Sequence, residues 1–344
     1  MTSYLKWMSE NTSSRYCNDS ALTSTVVHAL DNGAVGVTTN APLSFEALTT
    51  DQPQDLDPAT LIDPGLEGDD RVTAMLGRVV RPIARRLEAM YESTNGQAGY
   101  VRSQVQPGAS GDYDKQLRQG LTIAGFGRNV MVKVPGTESG IRVLEELTAR
   151  GIPTTATVCV SASQILAAAD AYERGVKRAL EAGITPARST SAFVMGRLQD
   201  YLTRLNDTQN KGLATEDLEE AVVAVARKLA AALAKRPNAP ILMPAAFRHP
   251  RQVTLLAGAK VEMTIHPKIQ SALEKWDAEE GIAREEGIDR PLDHARIDRV
   301  RDAFPDFVKA FEFDAMTPDQ FDGFGATIMT LDGFDQAWLK LREL

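Results

Sequence analysis

The chain has 344 residues, 43% hydrophobic and 24% charged, which excludes a disordered or fibrous polymer and leaves a folded protein of one large domain or two ordinary ones. A net charge of −8 with a pI near 5.2 excludes a general affinity for nucleic acid or anionic membrane, since either needs a basic face. Two cysteines, Cys17 and Cys159, exclude a disulfide framework, and no Cys/His cluster has zinc spacing.

The N-terminal segment has polar residues where a signal peptide has its apolar core, and no apolar run approaches the roughly 18 to 20 residues that span a bilayer. A cytoplasmic protein without a membrane partner is expected. Along the chain, short β-rich runs alternate with amphipathic stretches, the pattern of βα units. The first run, Tyr16 to Asp19, is followed by helical spacing over Ala21 to Leu30, and the second run is Ala34 to Asn40. Pro42 to Asp70, rich in Asp, Pro and Thr, reads as an irregular loop with room for a short helix. A helix over Arg71 to Ser93 leads to the run Gly99 to Val105, and one over Tyr113 to Ala124 to Val130 to Val134. Gly140 to Arg150 is helical, Thr155 to Ser161 is the fifth run, and Ser161 to Ala182 is a helix with Ser161 or Ser163 as N-cap and Gly183 at its end.

Ser189 to Val194 is the sixth run, and Thr203 to Pro240 holds an extra helix over Leu218 to Ala234 before the runs Ile241 to Phe247 and Lys260 to His266. Eight such runs separated by helices predict a (β/α)8 TIM barrel, an α/β fold whose usual size is about 250 residues. The barrel domain is assigned to residues 1–270. Residues 271–344 are charged and helical in pattern, with Trp276, Phe304, Phe307, Phe311 and Trp338 spaced to pack on the barrel as an appended helical region.

Alternate residues of a strand face opposite sides. In Val130 to Val134 the three valines form the helix-facing side, so Met131 and Lys133 point inward. The same division turns Thr155 and Thr157 inward beside Lys133, and Gln104 inward on its other flank. Asp19 and Asn40 end the first two runs, so polar groups converge where barrel active sites are built. A buried ammonium is costly, so Lys133 either loses its proton and becomes a nucleophile for carbonyls or pairs with a carboxylate. Strand geometry alone leaves a catalytic lysine and a structural Lys133 to Asp19 ion pair both open.

The motifs Val132-Lys133-Val134-Pro135-Gly136-Thr137, Gly140-Ile141, Gly151-Ile152 and Thr155-Ala156-Thr157-Val158 resemble the Schiff-base strand and following strand of the transaldolase family. Asn18-Asp19-Ser20, Gly36-Val37-Thr38-Thr39-Asn40, Ser191-Ala192-Phe193-Val194 with Gly196-Arg197, and Phe247-Arg248 follow in family order, so the resemblance covers roughly residues 15 to 270. It implies that Lys133 forms the Schiff base, Asp19 moves protons, and Asn40 bonds near the imine and substrate hydroxyls. It further implies that Thr157 holds a catalytic water, that Ser191 binds the donor ketose, and that Arg197 and Arg248 clamp its phosphate. Guanidinium suits that task because it binds phosphate oxygens at two points and keeps its charge.

The chain departs from the family in several places. Gln104 stands where typical transaldolases carry glutamate and fructose 6-phosphate aldolases carry glutamine, while Phe193 follows the transaldolases rather than the aldolases' tyrosine. Ala41-Pro42 follows Asn40 where proline is usual, Thr155 replaces an asparagine, and Ala246 replaces a serine. Arg197 falls one residue later after Ser191 than the family spacing. These changes point from an ordinary sugar phosphate of the pentose phosphate pathway toward a specialised ketose.

The resemblance implies a dihydroxyacetone transferase of carbohydrate metabolism that acts on sugar phosphates. The alternatives are an aldolase using the same imine and, from a different class, a noncatalytic sugar-phosphate-binding barrel. No metal or organic cofactor is implied, because the protonated imine is the electron sink, and a homo-oligomer is compatible with the reading. His28, His249, His266 and His294 lack metal spacing and are assigned polar or capping roles. Gly120, Gly125 and Gly127 read as a helix end, not a phosphate loop, and Glu216 to Glu220 as a solvated helix start.

Overall fold

A computed structural model describes residues 2–51 and 65–344. All eight runs form parallel strands: β1 (Arg15–Asn18), β2 (Gly36–Thr38), β3 (Tyr100–Gln104), β4 (Val130–Pro135), β5 (Thr154–Cys159), β6 (Ser189–Phe193), β7 (Ile241–Pro244) and β8 (Glu262–Ile265). They pair in the order β7-β6-β5-β4-β3-β2-β1-β8, and the bridges Leu242–Val261 and Ala245–Thr264 bring β7 against β8, so the sheet closes into the predicted barrel.

Helices α1 (Tyr4–Asn11), α2 (Thr23–Asp31), α3 (Ala41–Thr50), α4 (Gly68–Ser93), α5 (Tyr113–Ala124), α6 (Glu138–Ala149) and α7 (Ala162–Glu181) come from the first half of the chain. They are followed by α8 (Met195–Thr208), α9 (Thr215–Leu233), α10 (Pro250–Leu256), α11 (Pro267–Glu279), α12 (His294–Ala303), α13 (Pro305–Phe311) and α14 (Gly325–Arg342). None of the described helices is long and apolar enough to cross a membrane. Ser161 is the N-cap of α7, its hydroxyl accepting from the Gln164 amide.

Two sequence readings change. The loop expected over Pro42 to Asp70 begins as helix α3 and ends in the first turn of α4, while 52–64 lie outside the described residues. The Asn40 side chain caps α3 by accepting from the Leu43 amide at 2.9 Å, and Pro42 in the first turn needs no amide partner there, so local capping overrides a loop-like composition. The Thr203 to Pro240 stretch holds two helices rather than one, because α8 starts directly after β6 and Gly212, at φ +70°, turns the chain into α9.

The core lies between barrel and helices, where Val130, Val132 and Val134 are buried. Each such valine contributes about 1.5–3 kcal/mol on leaving water. Inside the barrel a charged layer sits among apolar residues such as Met131. Arg102 is fully buried, its guanidinium paired with Glu262 and donating to the Cys17 sulfur at 3.4 Å, and Arg188 reaches the other Glu262 oxygen at 2.5 Å. Above this layer the Thr155 and Thr190 hydroxyls share a 2.8 Å hydrogen bond.

Helix α14 packs against α3, α4, α8 and β5. It is tied by the Trp338 indole donating to Asp69 at 2.8 Å and by Asp335 accepting from the Gly108 amide at 3.0 Å.

Candidate active site

A cavity of about 320 Å³ opens at the C-terminal ends of the strands, the end at which barrel sites form. Lys133 is register partner to Gln104 on β3 and Thr155 on β5, and is 6% exposed. Its Nζ donates to the Thr39 carbonyl at 3.0 Å. Among the described residues no carboxylate lies within ion-pairing distance of it, so the direct Lys133 to Asp19 salt bridge that the sequence left open does not form. Burial pushes the Lys133 amine from the ordinary 10.5 down to about 8; the Asp19 charge opposes the fall and the Arg102 guanidinium adds to it.

Asp19 follows β1 and lines the cavity. The Thr38 hydroxyl donates to its Oδ1 at 2.6 Å and also contacts the Thr264 hydroxyl, joining the ends of β1, β2 and β8. Asn40 lines the cavity too. Its oxygen is engaged in capping α3, so the side of its amide left for a ligand is the donor.

Gln104 shares the β3 face of Arg102 and is 2% exposed, and neither its oxygen nor its nitrogen has a hydrogen-bond partner. Buried amides are nearly always satisfied, which sets this side chain apart from its neighbours on β3. Gln104 lies beside Lys133 but is not among the residues that line the cavity, whereas Thr157 on β5 lines it. The next residue, Val158, takes φ +56° where the register shifts between Ala156 and Cys159, a costly conformation for a β-branched side chain. Such strain concentrates at sites where the fold must aim a particular group.

The arginines lie at another edge of the cavity. Arg248 binds Asp200 at two points, Nε to Oδ1 at 2.8 Å and Nη2 to Oδ2 at 2.5 Å, and Arg197 is 3.8 Å from the same carboxylate. Gly196 makes this approach feasible, because a Cβ there would stand 1.7 Å from the Ala246 carbonyl oxygen. Burial and the nearby Arg248 lower the Arg197 pKa, against the charges of Asp200 and Asp19.

Ser191 and Phe193 are not brought to the cavity. On β6 the residues that line it are Ala192 and, just past the strand, Val194, and Ala192 packs with Cys17 and Met243 inside the barrel. Ser191 lies on the opposite face, fully buried with its hydroxyl unpartnered, and Phe193 joins the helix-side core. The late position of Arg197 was the signal: one extra residue exchanges the two faces of a strand, so Ala192 and Val194 take the inward places. Phe334 of α14, which no sequence motif marks, also lines the cavity, and its ring centroid is 5.5 Å from the Arg197 guanidinium carbon. His266 caps α11, as expected, by accepting from the Lys268 amide, but it lines the cavity as well.

The chain is similar to Transaldolase of Neisseria meningitidis serogroup A, 32% identical over 187 residues that cover 53% of each chain. It is 29% identical over 174 residues to Transaldolase 1 of Streptomyces avermitilis, covering 49% of this chain and 46% of that one. With Transaldolase 2 of a Nostoc species the identity is 27% over 210 residues, 60% of this chain and 55% of the relative. The chain thus spans about half the length of the curated relatives it matches. The profile of the Transaldolase/Fructose-6-phosphate aldolase family matches residues 16–317, a stretch that carries β2 to β8, all of β1 but its first residue, and the buried lysine. By that match the chain belongs to the Transaldolase/Fructose-6-phosphate aldolase family.

Proposed function

We propose that this protein transfers a dihydroxyacetone unit from a ketose phosphate to an aldose acceptor through a Schiff base on Lys133. The observation that carries the reading is the Lys133 amine, buried, without a carboxylate partner among the described residues and shifted to about 8, in a cavity that also holds Asp19. At neutral pH a useful fraction of such an amine is unprotonated and can attack a carbonyl. Its addition to the C2 carbonyl gives a carbinolamine, which loses water to form the imine. Asp19, oriented by Thr38, takes the proton of the C4 hydroxyl as the C3–C4 bond breaks. The bond's electron pair flows into the protonated imine, leaving an enamine on Lys133 and releasing an aldose. An acceptor aldehyde then reacts with the enamine carbon, and water hydrolyses the new imine. Arg197 would bind the phosphate with the donors it has free, and Arg248, whose Nε and Nη2 are engaged by Asp200, would add its charge beside it.

Gln104 favours a second reading, an aldolase. An amide orients a water but cannot take its proton as a carboxylate can, so an enamine that protonates and hydrolyses without an acceptor fits this residue. The two separate in one assay: incubation with fructose 6-phosphate, with and without erythrose 4-phosphate. Transfer yields a seven-carbon ketose phosphate only with the acceptor; cleavage releases free dihydroxyacetone without it. Neither product from a panel of ketose phosphates would sink both.

A further inference from the structure

We propose that Phe334 of the C-terminal helix α14 is a positioning residue that fixes the Arg197 guanidinium for an anionic substrate group. The inference rests on the reading of Arg197 and Arg248 as the phosphate-binding pair and adds to it a residue from outside the barrel strands.

The two arginines are held differently. Arg248 is locked by its two-point pair with Asp200 and by a 2.9 Å bond to the Ala246 carbonyl. Among the described residues no hydrogen bond engages the Arg197 guanidinium, and its ion-pair contact with Asp200 is 3.8 Å long. Its donors are therefore available to a ligand, but a long flexible side chain with free donors is costly to order. The Phe334 ring, 5.5 Å away and 6% exposed, meets that need. A guanidinium stacks on an aromatic face through the ring quadrupole without using any of its N–H groups. The ring is itself placed by its neighbour Asp335, which accepts from the Gly108 amide, and by Trp338 and Arg342 on Asp69. Phe334 also lines the cavity, so it narrows the space beside the anion.

The test uses the full chain and three variants: Phe334→Met, of similar volume but without a π face, Phe334→Leu in case the first folds poorly, and Phe334→Tyr, which keeps the face. Two quantities are measured, the Kd for inorganic phosphate and the concentration dependence of borohydride trapping with dihydroxyacetone, which has no phosphate. Phe334→Met and Phe334→Leu are expected to weaken phosphate binding by roughly three- to tenfold, Phe334→Tyr to restore most of it, and dihydroxyacetone trapping to change much less. Equal losses for both ligands would mean that Phe334 merely supports the cavity wall, and unchanged phosphate affinity would also overturn the proposal. Wild-type protein that binds no phosphate would overturn it at its premise, whereas phosphate binding without an adduct from dihydroxyacetone or any other ketose would instead refute the Schiff-base reading and leave Phe334 tested.

Discussion

Gln104 and Lys133 are register partners on adjacent strands, and the Gln104 amide is buried with both of its polar atoms unpaired. A neutral partner leaves the lysine charge uncompensated; a carboxylate at the same place would compensate it and accept a proton. Gln104→Glu is therefore expected to move the pH dependence of imine formation upward and to raise the ratio of transfer to cleavage by roughly tenfold or more, within the range of a general base. Product ratios with and without an aldehyde acceptor, measured across pH, check this; an unchanged ratio contradicts the role given to Gln104.

The depressed Lys133 pKa has two consequences. Trapping should accelerate from pH 6 to about 8 and level off above it, as the amine loses its proton. The group is also a stability cost when charged: the unfolded chain holds the proton up to 10.5 and the native site up to about 8, so native stability rises with pH between those values. Lys133→Met should abolish trapping and stabilise the fold at pH 7 by roughly 2–4 kcal/mol. Urea denaturation of both proteins at pH 7 and pH 10 would show the gain shrinking at the higher pH; a destabilised variant would mean that the amine is compensated in the fold.

Asp19→Asn keeps the acceptor oxygen for Thr38 but removes the base. Turnover should fall by roughly 10²–10⁴-fold, while imine formed with a ketone that undergoes no C–C cleavage persists. Single-turnover trapping with dihydroxyacetone, set beside steady-state rates with fructose 6-phosphate, separates the two steps. An equal fall in both would assign Asp19 to imine formation instead.

Asp200 occupies the arginine pair that the reading gives to phosphate. Its carboxylate is about one-third exposed, so Asp200→Asn should cost less than about 1 kcal/mol of stability. With less negative charge between the arginines, inorganic phosphate should bind several-fold more tightly, and the gain should fade with added salt. Weaker binding would instead mean that Asp200 positions Arg248.

Beneath the site, Glu262 balances Arg102 and Arg188. Glu262→Gln leaves the fully buried Arg102 without its charge partner and is expected to cost roughly 3–5 kcal/mol, read from the denaturation midpoint. A loss under about 1 kcal/mol would show that water reaches the cluster.

The barrel was legible because the signals are local. Valine alternation on β4 and paired threonines on β5 record which face is inward, and the same rule turns Lys133, Thr157 and Gln104 inward, while Asp19 is marked only by its place after the first run. Ser191 and Phe193 were misplaced because motif likeness outweighed a one-residue spacing difference that reverses a strand's faces. Nothing in the sequence marks Asp200, and only the meeting of α8 with the residues after β7 puts it on Arg248. Phe334 could not be read at all: it lies 137 residues beyond Arg197, a count from the sequence positions 334 and 197, and nothing in the periodicity of α14 names the side chain it covers.

The most direct measurement is borohydride reduction of the protein incubated with fructose 6-phosphate, followed by mass spectrometry of the peptide containing residue 133. A reduced three-carbon adduct on Lys133 is expected, discharged by erythrose 4-phosphate before reduction if the protein is a transferase. Absence of an adduct at Lys133 with every ketose tried, or an adduct on another lysine, would contradict the Schiff-base reading.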